Sequence, residues 1–132
     1  MKGWLKVMLV VALVVLLGPT LLGCGGGAGP EATVRDCLKA MEAKDAEKMA
    51  SYFVADMRDE MLAQMEMTFE MVDEIKISNM KTEVVSQEGD RATVELEFDM
   101  EMTIQGQTSE QHMKETTELE RVGGKWLITE TF

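Results

Sequence analysis

Residues 91–105, RATVELEFDMEMTIQ, decide the fold of this chain. Apolar side chains occupy every second position of this stretch, and polar or charged side chains occupy the positions between them. A period of two residues is typical of a β-strand with one dry face and one wet face. The apolar positions are Ala92, Val94, Leu96, Phe98, Met100, Met102 and Ile104. The stretch therefore predicts a long, half-buried strand.

Glycines on either side of this strand mark the turns of an antiparallel meander. They lie at Gly89, at Gly106 and at the pair Gly123-Gly124. Because glycine tolerates the backbone angles of tight turns, these positions divide the second half of the chain into four strands. The predicted strands cover about 75–87, 91–105, 107–122 and 125–132.

The charges test the register of the second and third strands. A two-residue turn at Gln105-Gly106 pairs Ile104 with Gln107, and the rest of the register follows by counting. It sets opposite charges side by side on the wet face and apolar residues side by side on the dry face. The wet-face pairs are Asp99 with His112, Glu97 with Lys114 and Arg91 with Glu120, with Glu101 and Glu110 as a like-charged exception; the dry-face pairs are Phe98 with Met113 and Ala92 with Leu119. The only histidine is thus predicted on the outer face beside an acid, as an ion pair rather than a catalytic base.

In the same register Glu115, Thr117 and Arg121 are predicted on the inward face of the sheet, together with Met113 and Leu119. Glu115 then faces Leu96, and Arg121 faces Trp126 across the last turn. An inward acid is costly unless it meets water or a partner. Two interpretations remain open: the strand frays and Glu115 reaches solvent, or Glu115 lines a ligand pocket. The predicted pocket residues are Leu96, Phe98, Met113, Glu115, Thr117 and Trp126.

The first half of the chain has the period of helices. Pro30-Glu31 begins a first helix that continues to about residue 43, with Val34, Leu38 and Met41 on one face. Asp45 caps a second helix containing Met49 and Phe53, and a third covers about residues 56–74. Cys37 lies on the apolar side of the first helix, which indicates a buried structural thiol.

Five methionines follow one another along the third predicted helix: Met57, Met61, Met65, Met67 and Met71. Thioethers four residues apart suit Cu(I), but the spacing is also that of a core stripe or of an adaptable groove for a partner. The second interpretation is favoured because copper-handling segments place methionine on open, polar stretches. No metal and no cofactor is predicted.

The N-terminal residues have the features of an export signal. Lys2 and Lys6 precede an apolar run at 7–17 that is too short to span a bilayer as a helix. The following Leu21-Leu22-Gly23-Cys24 resembles the lipobox of bacterial lipoproteins. That resemblance implies cleavage between Gly23 and Cys24 and acylation of Cys24. The predicted organisation is a signal peptide at 1–23, a lipidated cysteine and glycine-rich tether at 24–30, and one domain at 31–132.

Charge restricts the partners of this domain. The chain has 24 acidic residues against 13 Lys and Arg, a formal charge of −11, and loss of residues 1–23 with Lys2 and Lys6 makes it −13. Such a surface excludes nucleic acid and repels anionic lipid, so attachment would rest on acyl chains. By resemblance to lipoprotein sorting, Gly25 after Cys24 implies the outer membrane in a host with two membranes. In other hosts it implies the outer leaflet of the cell membrane.

The domain resembles the nuclear transport factor two-like, or cystatin-like, superfamily. The similar stretches are Pro30-Glu31, Lys44-Asp45-Ala46, EGDRATV at 88–94 and GGKWLI at 123–128. The resemblance implies an α+β fold: three N-terminal helices packed on a curved four-stranded antiparallel meander, forming a cone. Some members use the cone for isomerase, dehydratase or cyclase chemistry, and others use it for binding or dimerisation.

The expected function is therefore that of a lipid-anchored extracytoplasmic binding module without catalytic activity. Its partner is an unknown protein or a small apolar ligand, with a homodimer as a further option. The alternative is a small pocket enzyme, isomerase- or dehydratase-like, that uses Glu115 and Arg121.

Overall fold

A computed structural model describes residues 29–132, so the predicted signal peptide, Gly23 and Cys24 lie outside the described residues. Three helices precede four strands. They are α1 (Pro30–Glu42), α2 (Ala46–Ala50), α3 (Ala55–Met71), β1 (Glu74–Glu88), β2 (Arg91–Ile104), β3 (Gln107–Val122) and β4 (Lys125–Ile128). The strands form one antiparallel sheet in chain order, which confirms the predicted fold class. None of the helices in this part of the chain is long and apolar enough to cross a membrane.

The core lies between α1 and the sheet. Residues of α1 at helical spacing and alternate residues of β2 are almost fully buried. They include Val34, Cys37, Leu38, Val94, Leu96 and Phe98. Burial raises the pKa of the Cys37 thiol to about 12, so this thiol stays protonated at neutral pH. The structural interpretation of Cys37 is confirmed.

Local signals explain where α2 begins and ends. The Asp45 carboxylate accepts a hydrogen bond from the Lys48 N–H at 3.1 Å, as predicted for a helix cap. The prediction that Phe53 continues this helix is wrong, because α2 ends at Ala50. The chain instead runs beside β4: the Val54 N–H donates to the Ile128 carbonyl, and the Ile128 N–H donates to the Tyr52 carbonyl.

The register of β2 and β3 matches the prediction at every pair from Arg91–Glu120 to Ile104–Gln107. Period-two burial fixed it, because a slip of one residue would expose Leu96 and Phe98 and bury charges. Glu101 and Glu110 face one another, as predicted.

The first strand is less regular than its prediction. The pairing of β1 with β2 shifts between Ser78 and Lys81, and again between Val84 and Ser86. Asn79 sits in the first bulge with φ of 53°, and its side-chain amide donates to Asp99 at 2.8 Å. A bulge inserts an extra residue into the strand, so the side chains that face inward lie at odd positions before this bulge and at even positions after it.

The last strand is shorter than its prediction, because β4 ends at Ile128 and not near residue 132. Beyond it the chain crosses the edge of β3. The Thr129 N–H donates to the Glu118 carbonyl, and the Glu118 N–H donates to the Glu130 carboxylate. Phe132 then stacks on Phe53, with ring centroids 6.4 Å apart.

The methionines of α3 do not form one buried stripe. Met61 is buried and Met57 and Met65 are half-buried, whereas Met67 and Met71 are 68% and 66% exposed. The helix stops at Met71, three residues before its predicted end, and the Lys44 ammonium donates to the carbonyls of the next two residues. A cation at this end offsets the partial negative charge of the helix terminus.

Candidate functional site

The structure places Glu115 at the open border of the sheet and not in the predicted pocket. By register Glu115 lies opposite Leu96, on the side of the sheet that faces the helices, yet it is solvent-exposed. The neighbouring strand explains this position, since β4 pairs only with Leu119–Val122 and leaves the preceding part of β3 at the border of the sheet. Glu115 reaches solvent at the border of the sheet, as one interpretation predicted, although β3 neither bulges nor frays there. The pocket-lining interpretation does not agree with this position.

Arg121 is occupied by two other contacts. Its guanidinium lies 2.8 Å from the Asp90 carboxylate and 5.3 Å from the centre of the Trp126 ring. Six residues of extended strand separate it from Glu115, a distance of about 20 Å. The two side chains therefore cannot act together on one small substrate. Asp90 was missed, although the predicted register, continued by one residue beyond Arg91, places it opposite Arg121.

The other predicted pocket residues are packed into the core. Leu96 and Thr117 are fully buried, Phe98 and Trp126 are at most 6% exposed, and Met113 is half-buried. The Thr117 hydroxyl has no hydrogen-bond partner among residues 29–132. These residues hold the sheet against α1, and none of them borders the cavities that the following paragraphs describe.

A groove on the helical side of the domain is lined mainly by apolar side chains. Its volume is about 520 Å³, and its walls come from the end of α1, from α2 and α3, and from the last two residues. They are Met41, Met49, Phe53, Met57, Glu60, Met61, Gln64, Met65, Thr131 and Phe132. Exposed Glu60 and Gln64 form a polar border, so the groove opens to solvent.

One acid, Glu60, borders this Met-lined groove, and the helix that carries it is acidic overall. Helix α3, which supplies one wall, carries five acids and a single arginine: Asp56, Asp59, Glu60, Glu66, Glu70 and Arg58. The Arg58 side chain donates to the Phe53 carbonyl at 3.0 Å. Methionine is flexible and polarizable, so such walls adapt to apolar side chains of varied shape. The groove thus combines an adaptable apolar floor with a polar border that includes one acid.

A second cavity lies on the outer face of the sheet, beside the bulge of β1. It also measures about 520 Å³, and it is lined by Asp99, Glu101, Glu110, His112 and neighbouring backbone. His112 Nδ1 lies 2.6 Å from Asp99 Oδ1, and Nε2 lies 3.1 Å from Glu97 Oε1. The prediction of an outward histidine paired with an acid is confirmed.

The ion pairs follow diagonals of the sheet as well as direct pairs. Glu97 lies opposite Lys114, as predicted, but binds His112, and the Lys114 ammonium is 3.7 Å from Glu95. Diagonal neighbours are within reach of long side chains. In the described part of the chain no three His, Cys, Asp or Glu side chains are arranged to hold a metal ion.

The histidine cluster predicts a specific titration. The hydrogen bond to Asp99 raises the pKa of His112, and bonds from Asn79 and His112 lower the pKa of Asp99. The contribution of His112 to stability is complete below its ordinary pKa of 6.5 and is lost as pH rises through the raised pKa. The contribution of Asp99 to stability is present above its ordinary pKa of 3.8 and is lost as pH falls through its lowered pKa.

We expect an NMR titration of the imidazole to give a pKa above 6.5 for His112. The variant Asp99→Asn should lower this pKa more than the matched variant Glu97→Gln, because the Asp99 hydrogen bond is the larger influence. Equal effects of the two variants would contradict this assignment.

Comparison with known proteins gives one family. Residues 32–132 match the family model described as "Anti-sigma-I factor RsgI9, C-terminal domain". The search of curated proteins found no match.

Solved structures share the fold. A ketosteroid isomerase-like protein from Erwinia carotovora atroseptica is similar with a TM-score of 0.65 and 21% identity, over 75% of this chain and 87% of that one. A nuclear transport factor two-like protein with a cystatin-like fold from Novosphingobium aromaticivorans gives 0.60 and 14%, over 92% and 83%. A protein containing a SEC-C motif from Rhodopseudomonas palustris gives 0.56 and 26%, over 86% and 84%. The predicted resemblance in fold is confirmed.

Proposed function

The chain belongs to the family of the C-terminal domain of anti-sigma-I factor RsgI9, and from this premise we propose that it is a non-catalytic binding module with a regulatory role. The observation that carries the proposal is the Met-lined groove of about 520 Å³. An anti-sigma factor acts by binding, and a domain of such a protein needs a contact surface rather than reacting groups. The groove offers this domain a surface suited to apolar contact.

The border of the groove determines the class of partner. The proposed partner is a protein segment that folds as an amphipathic helix, with an apolar face for the methionines and lysine or arginine on its flanks. Grooves of this kind accept helices through apolar residues three or four positions apart. Glu60 at this border and the net negative charge of α3 complement basic flanks and disfavour acidic ones. The opening to solvent favours a segment of protein over an enclosed small ligand.

The place of action is proposed from the sequence. The motif that ends in Cys24 supports an extracytoplasmic domain held to the outer surface of a membrane by acyl chains. Residues 25–30, GGGAGP, supply a tether of at most about 20 Å, so the domain would remain close to the bilayer. A partner segment would then meet the groove within the envelope, at or near that membrane.

Enzymatic chemistry with Glu115 and Arg121 is the weaker candidate. Isomerase-like proteins share this fold, but a fold carries many functions. Glu115 is exposed and Arg121 is paired with Asp90 about 20 Å along the strand, so these two residues do not face one another across a cavity. We assign no catalytic residue.

Binding of a synthetic probe tests the groove. The probe is an 18-residue helical peptide with leucine on one face and lysine on the other, added to the full chain at physiological salt. We expect saturable binding by fluorescence anisotropy. Met65→Glu, which places a charge in the groove wall, should weaken binding about tenfold or more, because a buried unpaired charge is costly.

Two controls make the test specific. Met67→Glu introduces the same charge on the same helix at a side chain that is 68% exposed and outside the groove. It should change affinity less than about twofold, and circular dichroism should show that both variants are folded. A peptide of identical composition with scrambled order should bind weakly. Equal loss in the two variants, or equal binding of the scrambled peptide, would refute the proposal.

A further inference from the structure

Three edge segments of the sheet form hydrogen bonds with other parts of the domain on the side away from their neighbouring strand. At β1 the Ile77 N–H donates to the Glu42 carboxylate of α1 at 2.6 Å. Residues 52–54 cover β4, and residues 129–130 cover β3 at Glu118. Along residues 107–117, β3 has no neighbour on the side away from β2 among the described residues.

Backbone groups of this segment point outward in a regular series. Glu118 uses its N–H and C=O on the side away from β2, whereas the Arg121 N–H bonds to the Asp90 carbonyl on the opposite side. Because alternate residues of a strand direct these groups to the same side, the even-numbered residues form the free series. They are Thr108, Glu110, His112, Lys114 and Thr116.

The edge lacks two of the features that usually protect an exposed strand, proline and a β-bulge. Residues 107–117 contain no proline and no glycine, and the β2–β3 register has no bulge. The segment carries two acids, one lysine and one histidine, so it is nearly neutral on a strongly acidic chain. Electrostatic repulsion between two copies is therefore weakest at this edge.

Glu110 is an acid at this edge whose charge is not compensated within residues 29–132. It lies opposite Glu101 and forms no ion pair with any described residue. Like charges that face one another destabilise a sheet. Lys114, four residues along on the same face, contacts Glu95 only at 3.7 Å, and its own side chain is 60% exposed. An added strand that brings a lysine opposite Glu110 would compensate this acid.

We propose that residues 107–117 pair antiparallel with the same edge of a second copy of this chain, with His112 on the two-fold axis. This register uses the whole free series, since Thr108 then faces Thr116 of the second copy. It also sets Glu110 opposite Lys114 of the second copy, twice over. A register centred on Glu110 brings two unpaired acids together, and one centred on Lys114 brings two ammonium groups together. Each His112 that meets its copy in the proposed register is already held by Asp99 and Glu97 of its own chain. The two sheets then form one continuous eight-stranded sheet. This pairing of the β3 edges is independent of the function proposed for the Met-lined groove.

Cysteine scanning of the full chain tests the register. Residues that face one another in a hydrogen-bonded antiparallel pair have Cα atoms about 5.5 Å apart, which is within disulfide range. Under mild oxidation His112→Cys should give a covalent dimer. Thr116→Cys, also exposed on β3, should not, because the two copies of residue 116 lie about 27 Å apart in this register. The parent chain supplies the background from Cys24 and Cys37.

Other patterns of cross-linking would overturn the inference. Dimers at Gln111→Cys or Met113→Cys in place of His112→Cys would require another register. Equal cross-linking at Thr116 and His112 would indicate random collision, and absence of any dimer would exclude self-pairing.

Charge exchange tests the same pairing without new thiols. Glu110→Lys and Lys114→Glu each place like charges opposite one another twice, and each should weaken dimerisation about tenfold in analytical ultracentrifugation. The combined variant Glu110→Lys/Lys114→Glu restores opposite charges and should recover most of the loss. Additive losses in the combined variant would contradict the pairing.

Discussion

Replacing Phe53 by alanine should destabilise the domain by about 3–5 kcal/mol, the range for a buried phenylalanine. The ring is 1% exposed, packs in the core and stacks on Phe132. The residues beside it are joined to Ile128 by backbone hydrogen bonds, so they hold the truncated site open and limit its collapse. For a domain of this size the melting temperature should fall by about 12 °C or more.

Phe69→Ala is the matched control for this prediction. Phe69 is only half-buried near the end of α3, so the same truncation should cost less than half as much. Thermal and urea unfolding of the two variants would measure the difference. Equal losses would show that Phe53 is not the central packing residue of the helical side.

Replacing Cys24 by alanine should abolish acylation of the chain altogether. The thiol of this residue is the proposed attachment point for the diacylglyceryl group, and alanine offers no nucleophile. Each buried methylene of an acyl chain contributes about 0.8 kcal/mol to membrane affinity, so loss of the chains removes the proposed anchor. Labelling with a clickable fatty acid, followed by gel analysis, should show a labelled parent and an unlabelled, larger Cys24→Ala product that retains residues 1–23.

Cys37→Ala provides the control for labelling. This second cysteine is buried in the core, so its removal should leave the label in place. An unlabelled parent, or a labelled Cys24→Ala product, would refute the lipoprotein interpretation. Mass spectrometry of the N-terminal peptide would identify Cys24 as the modified residue.

Local pattern predicted the sheet well where one rule decided the outcome. Alternation in β2 and a two-residue turn at Gln105-Gly106 were sufficient for the β2–β3 register, because each slip by one residue inverts the sheet faces. The first bulge of β1 also had a signal in the sequence: Ile75 and Ile77 occupy odd positions, whereas Met80, Thr82 and Val84 occupy even ones. The switch between them lies at Asn79.

Features that depend on several elements were not predictable in this way. The alternation along β3 predicts that Glu115 faces inward, but only the short length of β4 shows that this part of the sheet is open to water. The methionine spacing did not distinguish Met65, in the groove wall, from exposed Met67. The groove itself depends on the last two residues meeting α2 and α3, and no periodicity encodes that contact.

The central claim, that the Met-lined groove is the contact surface, is tested most directly by NMR of ¹³C-methyl methionine. Titration with the leucine-lysine peptide should shift the methyl signals of the groove residues, of which Met41, Met57 and Met65 are partly exposed. The signals of Met100 and Met102 in the sheet should stay in place. Shifts that spread over the sheet methionines, or no saturable shift at the groove, would contradict the account.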